Sequence, residues 1–175
     1  EEGCTAFLIA CNNGHVDCME LLAEAGCDTA AKSNNGRNAL MLAAFSGAAA
    51  AVRTALEAGW CELEAKSVRG NTAFLIACHA GHADCMELLV EAGCDTAAKS
   101  NDGGNALMHT VCSGAAAAVR TALEAGWCEL EAKTEDGLTA FLVACQKGHV
   151  DCMRLLAEAG CDTAALTCNG FNALM

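Results

Sequence analysis

The chain has no proline and only ten lysines and arginines against 22 aspartates and glutamates. The shortage of cations leaves a formal net charge of −12. That argues against the phosphate contacts that supply most nucleic-acid affinity, so neither DNA nor RNA is expected as a partner. No stretch approaches the roughly eighteen apolar residues of a membrane span, because Gly, Asp, Glu or Arg interrupts every hydrophobic run. Cys-x-x-Cys is missing, and with it the close ligand pairs of a structural zinc site. So is Gly-x-x-x-x-Gly-Lys, the loop that cradles nucleotide phosphates. The opening Glu1-Glu2-Gly3-Cys4 lacks the regions of a signal peptide, although a leader ahead of it stays open.

Cysteine is abundant, with fourteen in 175 residues. In a secreted chain that number would suggest a disulfide framework. Here most cysteines recur once per structural unit, as Cys11, Cys78 and Cys145 or Cys18, Cys85 and Cys152, at slots that a helical pattern turns inward. Free, packed thiols acting as small hydrophobes are expected, in a reducing compartment such as the cytoplasm or an organellar stroma. Disulfides in an oxidising space are the alternative.

Repetition governs the rest of the sequence. Thr5-Ala6-Phe7-Leu8 returns at Thr72 and Thr139, and Asn38-Ala39-Leu40-Met41 returns at Asn105 and Asn172, in alternating steps of 33 and 34. Each unit reads Gly, one residue, Thr or Asn, an apolar stretch, Gly, a second apolar stretch, then Glu-Ala-Gly. Two short helices per unit follow. Thr5 or Asn38 suits an N-cap, whose side chain accepts a backbone N–H. Gly14 and Gly47 suit the turn between helices, and Gly26 and Gly59 a left-handed helix end. Cys27 to Asn35 is too short and polar for another helix, and its turn residues predict a hairpin-like finger.

These motifs carry a resemblance over essentially the whole chain. Gly3-Cys4-Thr5-Ala6-Phe7-Leu8, Ala10-Cys11-Asn12-Asn13-Gly14-His15 and Leu21-Leu22-Ala23-Glu24-Ala25-Gly26-Cys27-Asp28 resemble the opening, the inter-helix turn and the close of an ankyrin repeat. The resemblance implies an all-α solenoid of stacked helix-turn-helix units with fingers. The units run about 1–34, 35–67, 68–101, 102–134 and 135–168, with a partial unit at 169–175. Ala6, Ala39 and their equivalents stand where proline would fix the first helical position. The even units carry an extra residue after the closing Gly, as in Gly59-Trp60-Cys61-Glu62, and Trp60 and Trp127 are expected to pack over that insertion. Leu174 and Met175 occupy inward positions beside no further unit, so a longer array is expected there, with a trimmed array or a covering neighbour as the alternatives.

In ankyrin proteins the fingers and first helices resemble a concave partner surface, and the resemblance names its slots. They are Asn12 and Asn13; Asn34, Asn35, Arg37, Phe45 and Ser46; and Val68, Arg69, Asn71, His79 and Ala80. The later units supply Asn101, Asp102, Gly104, Cys112 and Ser113, then Glu135, Asp136, Leu138, Gln146 and Lys147. An internal comparison supports them, because residues 5–71 and 72–138 are near-copies that differ at 14 of 67 positions. Eight of the ten slots in the first copy change, and only Asn34 and Ser46 do not. Drift of exposed positions would explain this less well, since Glu20, Glu24 and Arg53 match Glu87, Glu91 and Arg120. Phe45, Val68 and Leu138 are expected to face water as apolar anchors near Arg37 and Arg69.

Chemistry finds less support. His15 and Cys18 share a helix face and recur as His82 and Cys85 or His149 and Cys152, but four converging ligands are lacking. The resemblance makes the histidine a turn residue bonded to neighbouring backbone. A trio stamped into every other unit signals framework, not a nucleophile. Asp17 and Glu20 fall on the solvated side of a short helix. No enzyme activity, metal or cofactor is expected. The leading expectation is an adaptor for a protein partner of unknown identity. The alternatives are a linker subunit of a large assembly, membrane-associated or not, or the regulatory arm of a larger enzyme or channel.

Overall fold

Each apolar stretch is too short to bury itself alone, so the helices must pair and the pairs must stack. The computed structural model shows this arrangement, describing residues 3–127, 129–168 and 170. The helices are α1 (Ala6–Asn12), α2 (Val16–Glu24), α3 (Ala39–Ser46), α4 (Ala49–Glu57), α5 (Ala73–Ala80), α6 (Ala83–Glu91), α7 (Ala106–Ser113), α8 (Ala116–Glu124), α9 (Ala140–Lys147) and α10 (Val150–Glu158). No strand occurs among the described residues. The odd-numbered helices pack on one another in an inner row, the even-numbered helices form an outer row, and each inner helix packs against its outer partner. Leu174 and Met175, with most of the partial sixth unit, lie outside the described residues.

The inner row carries the core. In α3 every residue from Ala39 to Ala44 is buried, whereas α4 buries only Ala51, Val52 and Ala55. A helix that is apolar all round must be covered on all sides, and one with a single stripe lies at the surface. Side-chain caps start the inner helices. Thr72 Oγ1 accepts from Leu75 N at 3.3 Å and Asn38 Oδ1 from Met41 N at 2.9 Å. Asn does more than Thr in at least one even unit, because Asn105 Nδ2 also donates to the Glu129 carbonyl at 3.1 Å and ties the cap to the longer finger.

Gly47 ends α3 at φ 74°. That left-handed backbone disfavours a side chain, and a Cβ there would also lie 2.7 Å from the His82 ring. The ring fills this space because His82 Nε2 donates to the Phe45 carbonyl at 3.2 Å, one unit back. The Gly-His turn is therefore a clasp between units, and the histidine is framework.

The two tryptophans reach further than the insertion expected to hold them. Trp60 meets Phe7 edge-on with ring centroids 5.2 Å apart, and Trp127 meets Phe74 in the same way at 5.6 Å. Each even unit thus seals the inner helix of the odd unit before it. The thiols need one correction. Cys11, Cys78, Cys85 and Cys152 are buried, but Cys18 is exposed and Cys145 half-buried. Helix α6, which carries Cys85, packs against the preceding α4, while no described helix precedes α2 to pack on it in the same way. Ile9 shows the same effect, being 51% exposed where Ile76 is 3% exposed.

Candidate functional site

The fingers line up through main-chain hydrogen bonds. Each closes on itself, as Ser67 N donates to the Asn71 carbonyl at 3.0 Å and Gly70 N to the Ser67 carbonyl at 2.9 Å. Each also bonds to the next. Val68 N donates to the Asn35 carbonyl at 3.1 Å, Asn101 N to that of Arg69 at 3.0 Å and Glu135 N to that of Asp102 at 3.1 Å. This fixes the order of the fingertip side chains along one edge of the array.

Between that edge and the inner helices α3, α5 and α7 lies a cavity of about 520 Å³. It brings together Arg37, Phe45, Val68, Arg69, Asn71, His79, Asn101, Asp102 and Cys112 from the expected slots, along with Ile76, Ser100 and His109. Nine of these twelve occupy positions that differ between the two near-copies. The differences therefore converge on one cavity, beyond a general preference for the surface.

Several are coupled in space. The second copy has Gly104 where the first has Arg37, His109 for Leu42 and Cys112 for Phe45. A Cβ on Gly104 would stand 2.9 Å from Ser100 Oγ and 3.2 Å from His109 Nε2, so the small residue admits the imidazole. Ser100 Oγ donates to Asp102 Oδ1 and lies 3.1 Å from the Gly104 carbonyl, while His109 Nε2 sits 3.0 Å from the same hydroxyl. The carboxylate is the strongest acceptor of the serine proton, which leaves the imidazole N–H to donate to Oγ. A hydrolytic triad needs the carboxylate on the imidazole and the imidazole on the nucleophile. Here the carboxylate holds the serine directly, and the cluster braces the finger.

Burial lowers the His109 pKa to about 4, helped by the neighbouring His79 and opposed by Asp102. The two imidazoles meet edge to face, 5.8 Å between centroids. Partial burial also lowers His79, and Arg37, Lys147 and Arg69 add to the effect by repulsion. The hydrogen bond from Ser100 holds Asp102 below its ordinary value despite some desolvation. At neutral pH the His109 imidazole is thus uncharged, and the cavity around it is lined by the guanidinium groups of Arg37 and Arg69 and by the Asp102 carboxylate.

A family model described as ankyrin repeats in three copies matches residues 1–64, 54–127 and 122–175. The chain belongs to the ankyrin-repeat family. Ankyrin repeats generally mediate protein–protein interaction, which makes proteins the general class of partner. No curated protein matches the chain.

Within this ankyrin array the remaining slots divide. Asn34 and Ser46, unchanged between the copies, have internal work. The Asn34 carboxamide covers Gly3, where a Cβ would clash with it, and Ser46 Oγ donates to the Ala43 carbonyl at 3.1 Å. Their counterparts behave alike, since Asn101 Nδ2 donates to the Val68 carbonyl and Ser113 Oγ to that of Thr110. Asn35, Glu135 and Asp136 are exposed on their fingertips, and Gln146 and Lys147 are exposed at the end of α9. Asn12 and Asn13 close α1 away from the cavity. Phe45 and Val68 face water at 42% and 69% exposure. Leu138 does not, because its half-buried side chain packs against the core.

Sequence reasoning missed His109, Ser100 and Ile76. The substitution of Leu42 by His109 between near-copies was a usable signal, being a polar group in an apolar helix. Ser100 and Ile76 gave none, since Ser33 and Ile9 match them.

No group of three or more His, Cys, Asp or Glu that could hold a metal occurs among the described residues. No described helix is long and apolar enough to cross a membrane.

Proposed function

We propose that this ankyrin array is a non-catalytic adaptor that docks a protein through the groove between its fingers and inner helices. The observation that carries this reading is the convergence of the variable positions on a single cavity. A stack has to preserve residues that pack or cap, and a recognition surface is where duplicated units gain by diverging. The lining also has the composition of an anchor site, an exposed Phe45 with the Arg37 guanidinium stacked 4.8 Å from its ring centroid, rimmed by polar fingertips. In this reading no bond is made or broken, and binding needs no cofactor. Burial pushes the Cys11 and Cys94 thiols up to about 12. Such inert, packed thiols suit a reducing compartment, the cytoplasm or an organellar stroma.

The test is capture of native partners from an extract by the whole chain, with Phe45→Ala/Arg69→Ala set against Arg53→Ala/Arg120→Ala on the outer helices. Loss of capture with the first pair at unchanged melting temperature supports the adaptor. Loss with the second pair points to a linker held along its outer face, and capture indifferent to both removes the groove from consideration.

A further inference from the structure

The chemistry of the groove also describes its occupant. Among the described residues the only ion pair joins Arg154 to Asp151, so Arg37 and Arg69 are unpaired in a chain with 22 acidic residues. Both line the same cavity, and both raise the positive potential felt by His79. Arg37 is half-buried and held against Phe45, which limits its freedom to seek solvent. A partly desolvated guanidinium without a counter-charge is costly, and a carboxylate matches its planar fork with two parallel hydrogen bonds. Beside it, Phe45 and Ile76 offer an apolar wall.

Two further features point to an extended chain. The carboxamide oxygen of Asn71, in the same lining, is buried without a hydrogen-bond partner. Turning the carboxamide would offer that acceptor to a main-chain N–H. Beyond Arg69 the bonded fingertip row continues with Asp102, then Glu135 and Asp136. Its sign reverses from cationic to anionic in a fixed order.

Resting on the adaptor reading, we propose that the groove accepts an extended, acid-bearing peptide segment of a protein partner. One of its carboxylates lies between Arg37 and Arg69, and a neighbouring apolar side chain rests on Phe45 and Ile76. The acidic fingertips set the register, because a second acid placed over Asp102, Glu135 or Asp136 is repelled and a basic residue there is favoured.

The test is selection from a random-peptide display library on the whole chain, followed by affinity measurement of the enriched peptides by fluorescence polarisation. Enriched peptides are expected to carry Asp or Glu beside an apolar residue. Arg37→Glu/Arg69→Glu should weaken them by about tenfold or more and enrich basic peptides instead, while Arg53→Glu/Arg120→Glu changes neither. Circular dichroism checks that each variant folds. Peptides that are lost with Phe45→Ala but show no acidic bias overturn this proposal and leave the adaptor standing. Peptides indifferent to every groove variant overturn both. A library from which nothing is enriched overturns the peptide acceptor.

Discussion

Trp60 stands edge-on to Phe7, their rings 79° apart in plane, although 53 positions of sequence separate them. The contact joins an even unit to the inner helix of the odd unit before it, so it stabilises the stack and not a single helix pair. Trp60→Ala should cost about 2–3 kcal/mol, below the figure for a fully buried ring because Trp60 is half-buried. Urea titration followed by circular dichroism measures it. A loss under about 0.5 kcal/mol would mean that the ring only covers surface.

Cys18 and Cys85 share a slot and differ in exposure. Burial, with some help from Asp84, raises the Cys85 thiol to about 11, so little thiolate forms near neutral pH. Labelling with a thiol reagent under native conditions, read by peptide mass spectrometry, should modify Cys18 at least about a hundredfold faster than Cys85. Urea should erase the difference. Equal rates in the native protein would contradict the stacking of α6 on α4.

Much of this was legible in the sequence because repeated packing repeats its residues. Thr5, Asn38, Gly47 and the inward leucines each recur at a fixed step, and each has the local role its chemistry implies. The exceptions arise where neighbours decide. Cys18 and Cys85 have nearly the same sequence surroundings, differing nearby at Val16 against Ala83 and Ala23 against Val90, and the neighbouring helix separates them. Leu138 sits at a fingertip slot yet packs inward. Of the candidate site, the slots were readable as a face, but their gathering into one cavity was not. That depends on how the fingers bond in a row, and on Gly104 leaving room for His109.

The His109 imidazole gives the array an acid sensitivity that its counterpart Leu42 cannot give. Its folded pKa of about 4 lies below the ordinary value of 6.5. Between these two the unfolded chain binds a proton that the folded chain does not, so stability falls as pH drops through this window. From pH 7 to pH 5 the loss from this group is about 2 kcal/mol. Asp102, held low, adds a loss only at more acid pH, near and below the ordinary carboxylate range. His109→Leu should therefore flatten the stability profile between pH 7 and pH 5, as followed by urea titrations at both values. An unchanged slope would place the acid sensitivity elsewhere.

The most direct measurement of the central claim is amide hydrogen exchange of the whole chain, free and with a captured partner or selected peptide bound. A partner seated in the groove should slow exchange in the fingers at residues 34–37, 68–71 and 101–104 and at the ends of α3, α5 and α7. The outer helices α4, α6 and α8 should stay as they were. Protection confined to those outer helices would contradict the account.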